Sequence, residues 1–291
     1  VRLPLEGAER LLQAAKALDL VEQRGRGRFG LGPLGAAMVA NPGIAAMVEH
    51  HAHLYTDLAD PVALLRGDSD RTALAGYWPY AAADRPSALP DAEVADYSRL
   101  MSLSLPLVAE EVLDGYVMGH HRGLLDVGGG EGAFVEAAGI RNPHLRLMLF
   151  DLPAVAERAR ARLSGCALAD RLEAAGGDFL TDPLPKGADI VSLIRVILDH
   201  DDANALRILK AARAALPPGG VLLLAEPLAE TAGSEAVAAY FALYLRAMGR
   251  GRPRSFDQLK ALLTDAGFEN IRLTRGRRVL RTGIVTASPQ T

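Results

Sequence analysis

One segment constrains this chain more than any other: Asp126-Val127-Gly128-Gly129-Gly130-Glu131-Gly132. The apolar run 123–127 precedes it, and an apolar-periodic stretch from Ala133 follows it. Strand, glycine turn and helix in that order open a βαβ unit. The alternation then continues. Residues 145–150 read as a strand, and Pro153 stands where a helix accepts proline in its first turn. Residues 190–198 form a buried-type apolar run. A helix over 206–216 is ended by Pro217-Pro218-Gly219-Gly220, and a strand over 221–225 follows. Helices are predicted over 235–248 and 255–266, and the chain closes with two extended segments around a basic turn at 275–278. Strands alternating with helices require a mostly parallel sheet covered on both faces, here with an antiparallel closing edge. The fold class is therefore α/β.

Such a sheet binds its ligand beyond the carboxyl ends of its strands, which places the glycine turn at the site. The turn is not a P-loop, because no Lys-Ser/Thr pair follows it. It fits G-x-G-x-x-G/A through Gly128, Gly130 and Ala133, and Asp151 lies 23 residues after Gly128, where a carboxylate reaches both ribose hydroxyls. An adenosine-type ligand follows, and a nicotinamide cofactor fits the pattern this far. Asp126 and Glu131, however, would repel a pyrophosphate and are acceptable beside an ammonium and a sulfonium. Gly176-Gly177-Asp178-Phe179 adds an Asp able to accept the adenine amino group and a Phe able to pack on the ring. These features favour S-adenosylmethionine, held by Gly128, Gly130, Asp151, Asp178 and Phe179. Arg195 ends the buried run at 190–198, and its charge needs a partner: a ligand carboxylate, for which we count it with the cofactor residues, or a nearby Asp.

At 291 residues the chain is long enough for two domains, and the change in texture sets the expected boundary at 119/120. Residues 1–119 read as mostly helical. A helix over 8–20 is followed by Gly25, Gly27 and Gly30 alternating with Arg26, Arg28 and Phe29, a tight basic hairpin. That order resembles the end of a winged helix, a fold used for DNA binding or for dimerisation. Dimerisation is favoured, because no aromatic or Asn/Gln-rich recognition helix precedes the hairpin. Asn41-Pro42-Gly43 is a turn before a helix over 44–58 that carries His50, His51 and His53, read as pocket wall or helix surface rather than as a metal site. Residues 66–91 read as a loop anchored by Tyr77, Trp78 and Tyr80, and Asp91 as the N-cap of a helix running to 118. The net charge of −3 gives no global basic excess for nucleic acid, and the single Cys166 permits no intrachain disulfide. No apolar run approaches the roughly 20 residues of a membrane span, so a cytoplasmic location is expected. Because the chain begins at Val1 within helical texture, a further piece is expected upstream.

The segments 126–132, Phe150-Asp151-Leu152-Pro153, Gly177-Asp178-Phe179, Pro217-Pro218-Gly219-Gly220 and Asp265-Ala266-Gly267-Phe268 together resemble the small-molecule O-methyltransferases of the plant and bacterial type over about residues 123–288. The resemblance implies a Rossmann-like class I methyltransferase domain over 120–291. Before it, over 1–119, a partial winged-helix domain serves dimerisation and substrate capping, in a homodimer acting on a hydrophobic small molecule. Two stretches, 49–61 and 195–202, are closer to the carotenoid-synthesis branch of that family, whose acceptors are of the hydroxyneurosporene or demethylspheroidene type. A polyketide or bacteriochlorophyll-type acceptor, or a relative that binds the cofactor without methyl transfer, are the alternatives.

The sequence departs from the family pattern at one chemical point. The His that serves many members as general base falls on Leu198, with His200 at the following Trp position; the acid at Glu226 is retained, and a further acid is replaced by Pro253. A tertiary alcohol does not ionise before attack, so its proton leaves during or after methyl transfer. Asp199, His200 and Glu226 are the candidates to take part, while His200 packed on the next helix and Asp199, Asp201 and Asp202 as helix-capping charges are the structural readings. Tyr240, Tyr244 and Met248 share one helix face as core or pocket lining, and Arg250, Arg252 and Arg254 read as a solvated turn.

Overall fold

In a computed structural model the chain is described over residues 2–25, 27–68, 72–78, 86–275 and 282–290. It divides into two compact units, Val1–His51 and Ala52–Thr291. In the first unit, α1 (Leu5–Ala17) leads into a hairpin of β1 (Val21–Arg24) and β2 (Arg28–Leu31), paired antiparallel from Val21 opposite Leu31 to Arg24 opposite Arg28. The helix stops earlier than its apolar spacing predicts, because Asp19 takes a left-handed φ of 56° and turns the chain toward β1. Helix α2 (Pro33–Val39) and the start of α3 (Pro42–Asp57) complete the unit.

The second unit begins with the end of α3. Two short helices follow, α4 (Pro61–Arg66), in a stretch to which the sequence assigned no element, and α5 (Ala73–Tyr77), within the 66–91 segment read as a loop. Caps make them: Asp60 accepts Ala63 N–H at 3.0 Å, Thr72 accepts Ala75 N–H at 3.2 Å, and the Asp57 carboxylate at the end of α3 accepts Ala73 and Leu74 N–H at 2.7 and 3.0 Å. Tyr80 and residues 276–278 of the basic turn lie outside the described residues. Helix α6 (Asp91–Gly115) starts one residue before its expected first turn. Pro90 holds the N-cap position, and the Asp91 carboxylate is engaged by Arg158 at 3.1 Å instead of capping.

The Rossmann-like sheet follows, as β3 (Gly123–Val127), α7 (Ala133–Arg141), β4 (Arg146–Asp151), α8 (Pro153–Leu163), β5 (Leu172–Gly176), β6 (Ile190–Ile194), α9 (Asp202–Ala215), β7 (Val221–Glu226), α10 (Glu235–Met248), α11 (Phe256–Asp265), β8 (Phe268–Arg275) and β9 (Gly283–Pro289). The order across the seven strands is β5-β4-β3-β6-β7-β9-β8, with β9 antiparallel to both its neighbours. Strand β6 ends at Ile194 and not at 198. Arg195 has a φ of 58°, costly for a residue with a Cβ, and 197–199 tightens into a 3₁₀ turn.

Side chains alternate across the sheet. Leu124, Leu147 and Leu149 pack with Val108, Phe134 and Leu163 of α6–α8 on one face. Leu125, Val127, Met148 and Phe150 pack with Ile208, Leu209 and Leu263 of α9 and α11 on the other. Each fully buried Leu of these two layers contributes about 1.5–3 kcal/mol relative to exposure. Strand order reverses at β3: the chain steps outward through β4 and β5, then returns to place β6 on the opposite side. The crevice that such a reversal opens lies at the carboxyl ends of β3 and β6, and the glycine turn and Arg195 stand there.

Candidate active site

The turn between β3 and α7 is held from β4. Gly128 N–H donates to the Phe150 carbonyl at 2.8 Å, Gly130 N–H to Asp151 Oδ2 at 2.7 Å, and Leu152 N–H to Asp151 Oδ1 at 2.7 Å. Each carboxylate oxygen keeps a lone pair for a further donor. Burial pushes Asp151 up to about 6, against the pull of the Gly130 and Leu152 N–H groups. Gly130 has a φ of 57°, and a Cβ built there meets nothing within 4 Å. The backbone is bare at that point, and a ligand can lie directly against it. A Cβ on Gly128 would instead lie 2.7 Å from Val196 Cγ2 and 3.7 Å from Phe179 Cε1. Phe179 therefore faces the turn. The His200 ring stands edge-on to it at 5.4 Å, and the Asp178 carboxylate accepts Leu180 N–H at 2.8 Å.

The two acids flanking the turn have different fates. Asp126 is 1% exposed; its Oδ1 accepts from Ser192 Oγ at 2.6 Å and its Oδ2 has no hydrogen-bond partner. Burial pushes it up to about 7. Glu131 is met by Arg158 at 2.7 Å, which also reaches Asp91. Of the pair read from the sequence as cation partners, Glu131 is paired with a protein cation through its Oε1, while Asp126 keeps a buried oxygen without a hydrogen-bond partner.

Across the crevice, Glu226 ends β7. Its Oε1 accepts Val196 and Ile197 N–H at 3.1 and 2.8 Å, and its buried Oε2 has no hydrogen-bond partner. Burial and then the nearby Asp199 charge push Glu226 up to about 8, opposed by the two N–H donors and Arg195. Asp199 lies in the 3₁₀ turn, half-buried; burial pushes it up to about 7 while Arg195 pulls it down. The Arg195 guanidinium sits 4.8 Å from the centre of the Phe241 ring, a cation–π contact. Burial and then the Arg250 charge hold His200 down to about 4, so its ring is neutral at pH 7 and a weak proton acceptor.

The reading of residues 250–254 as a solvated turn is corrected for Arg254. That side chain is 4% exposed and donates to the carbonyls of Ile197 at 2.8 Å and His200 at 2.7 Å, and to Asp202. An arginine among other arginines reads as surface, and no local pattern in the sequence marks this one. Ser192 was missed for the same reason.

Leu198, at the position of the family's usual base, is 5% exposed. It packs with Leu54, Leu64, Leu74, Trp78, Tyr244 and Met248 in an apolar cluster. Tyr77 stacks on His53 at 5.0 Å, Trp78 leans on Tyr97 at 5.7 Å, and Tyr240 and Tyr244 lie 5.6 Å apart. In α3, His51 Nδ1 bonds to the Met47 carbonyl. Among the described residues no three His, Cys, Asp or Glu side chains are grouped as for a metal ion.

An O-methyltransferase domain profile matches residues 55–269. The demethylspheroidene O-methyltransferase of Cereibacter sphaeroides is 45% identical over 283 residues, 97% of this chain and 74% of that protein. The enzyme of the same name from Rhodobacter capsulatus is 43% identical over 279 residues, 95% of this chain and 68% of its own length. Among solved structures, CalO1, a methyltransferase of calicheamicin biosynthesis with SAH bound, superposes with a TM-score of 0.81 over 98% of this chain and 84% of that one, at 24% identity. The chain belongs to the O-methyltransferase family.

Proposed function

We propose that this chain transfers the methyl group of S-adenosylmethionine to a hydroxyl of a carotenoid of the demethylspheroidene type. The observation that carries this reading is the 45% identity maintained over 97% of the chain to an enzyme named for that acceptor. The site supports it. The bare backbone at Gly130, the Asp151 carboxylate beside it and the unanswered Asp126 Oδ2 suit a ligand that is part nucleoside and part cation. Gly128, Gly130 and Asp151 would hold the ribose end, Asp178 and Phe179 the adenine, and Arg195 the carboxylate. The bound cofactor supplies an electrophilic methyl on a sulfonium.

The chain's own part is placement, dehydration and one proton. The cluster around Leu198 offers a polyene an apolar wall and keeps water away from the reacting oxygen. As that oxygen gains the methyl it loses its proton, and the Asp199 carboxylate, two residues after Ile197 in the turn, accepts it. Glu226 steadies that turn through the Val196 and Ile197 N–H groups. His200 backs the adenine side by its contact with Phe179. An ionisable His at position 198 would help a phenol ionise; a Leu there suits an aliphatic alcohol that needs a proton acceptor only late. In the same reading residues 1–119, with their α1 and β1–β2 hairpin, form a winged-helix dimerisation and substrate-capping domain, residues 120–291 hold the cofactor, and the chain acts as a cytoplasmic homodimer.

The test is methyl transfer from radiolabelled S-adenosylmethionine to demethylspheroidene in detergent, with a phenolic polyketide and a chlorophyll precursor in parallel. Label in the carotenoid product supports the reading; label only in one of the others overturns the acceptor assignment.

A further inference from the structure

We propose that Arg254 is a positioning residue for methyl transfer, setting the 197–202 turn from behind so that Asp199 meets the acceptor hydroxyl. The inference rests on the reading of Asp199 as the proton acceptor. The guanidinium directs its hydrogen bonds to that one turn: Nη1 to the Ile197 carbonyl, Nη2 to the His200 carbonyl, and Nε and Nη2 to Asp202 at 2.9 and 2.8 Å. These groups bracket Asp199 on both sides in the chain. A planar fork with several fixed donors can hold three acceptors at once; an ammonium cannot reproduce that geometry.

Arg254 is itself anchored. Its carbonyl accepts Ala229 N–H at 2.9 Å, just beyond Glu226 and β7. Ser255 begins α11 with a reciprocal cap, its hydroxyl accepting Gln258 N–H at 3.3 Å while Gln258 Oε1 accepts Ser255 N–H at 3.1 Å. The preceding segment lies flat on the same turn: Arg252 N–H donates to the Leu198 carbonyl at 2.9 Å, and a Cβ at Gly251 would collide with that carbonyl. Ile197 is thereby fixed at its N–H by β7 and at its carbonyl by the start of α11. The orientation of the next two residues is set by elements that do not touch the acceptor. Arg252 also holds Asp202, at 2.8 Å, so the turn keeps a surface tie when Arg254 is lost. What it loses is the buried one.

The experiment compares Arg254→Lys, Arg254→Gln, Asp199→Asn and the double variant Arg254→Gln/Asp199→Asn. It measures kcat and KM with demethylspheroidene, and the thermal midpoint of each. A turn displaced by about 1 Å costs on the order of 100-fold in rate, so both Arg254 variants should lose kcat to about that extent while the acceptor KM changes little. The double variant should be no slower than Asp199→Asn alone, because Arg254 acts through Asp199. If Arg254→Gln does not fold, Asp202→Asn, which removes the exposed partner and leaves the carbonyl bonds, should show a smaller loss of kcat with the same non-additivity. Wild-type kcat in Arg254→Lys and Arg254→Gln, or losses that multiply in the double variant, overturn the proposal. Unchanged kcat in Asp199→Asn overturns the underlying reading of Asp199 instead, and so separates the two failures.

Discussion

Glu226 and Arg254 hold opposite ends of one residue. Ile197 donates its N–H to Glu226 Oε1 at 2.8 Å and receives Arg254 Nη1 on its carbonyl, also at 2.8 Å. An acid and a cation are therefore coupled through a single peptide residue without touching as an ion pair. Both line a cavity of about 10 Å³, with Leu198, Pro227 and Leu259, which is the space of one water molecule.

The acid end has a stability signature. Glu226 is raised from 4.5 to about 8 in the fold, so the folded chain binds a proton that the unfolded chain releases. Its favourable contribution is complete below the unfolded value and is lost as pH rises through 8. Urea midpoints should therefore fall between about pH 5 and pH 8 more steeply for the native chain than for Glu226→Gln. Parallel curves would show that Glu226 is not held as a neutral acid.

Asp199 should govern the rate near neutrality. Only its ionised form accepts the proton, and burial raises it to about 7, so kcat should climb with pH and level off above that value. His200, held to about 4, gives no limb in that range. Asp199→Asn should abolish the limb and lower kcat by roughly 10²- to 10⁴-fold, the usual worth of a positioned base. A limb near 7 that survives the substitution belongs to another group.

Cofactor affinity should depend on Asp151. Replacing it with Ala removes the acceptor beside Gly130 and Leu152. One charged hydrogen bond is worth about 1.5–3 kcal/mol, so S-adenosylhomocysteine should bind roughly 10- to 150-fold more weakly in calorimetric titration. Affinity equal to that of the native chain would move the ribose site elsewhere.

Two of the four glycines of the turn, Gly128 and Gly130, should separate folding from binding. Ala at either position adopts a left-handed backbone at about 1–2 kcal/mol. At Gly130 the new methyl enters open space, so the thermal midpoint should fall modestly and cofactor binding should fall steeply. At Gly128 the methyl also collides with Val196, and stability should fall further. Val196→Ala in the Gly128→Ala background should recover that part. Equal thermal midpoints for the two alanine variants would contradict the packing described.

The sheet and the glycine turn were legible in the sequence because their signals are local. Short continuous apolar runs, glycines after a strand, Pro153 in a helix's first turn and Gly267 after α11 each act within a few residues. The end of β6 was not, because an apolar run cannot report that Arg195 turns left-handed. The helices α4 and α5 were missed because each is only one or two turns long, and the Asp57 bonds that fix α5 come from the end of α3, 16 residues away. Arg254 and the pairing of Glu131 with Arg158 depend on contacts between α8, α11 and turns far away in the chain, and no spacing encodes them. In the same way the sequence offered Asp199, His200 and Glu226 together, and their burial and hydrogen bonding, which support the roles proposed above, could not be read from it.

The last strand also dictates an order of events. Strand β9 follows β8 in the chain yet lies between β7 and β8 in the sheet. Until Gly283–Pro289 takes its place, Phe268–Arg275 has no neighbour to pair with and β7, whose final residue is Glu226, keeps an open edge. Exposed edges of this kind recruit other chains. Copies truncated after residue 275 keep both edges open and should therefore self-associate more readily than the whole chain.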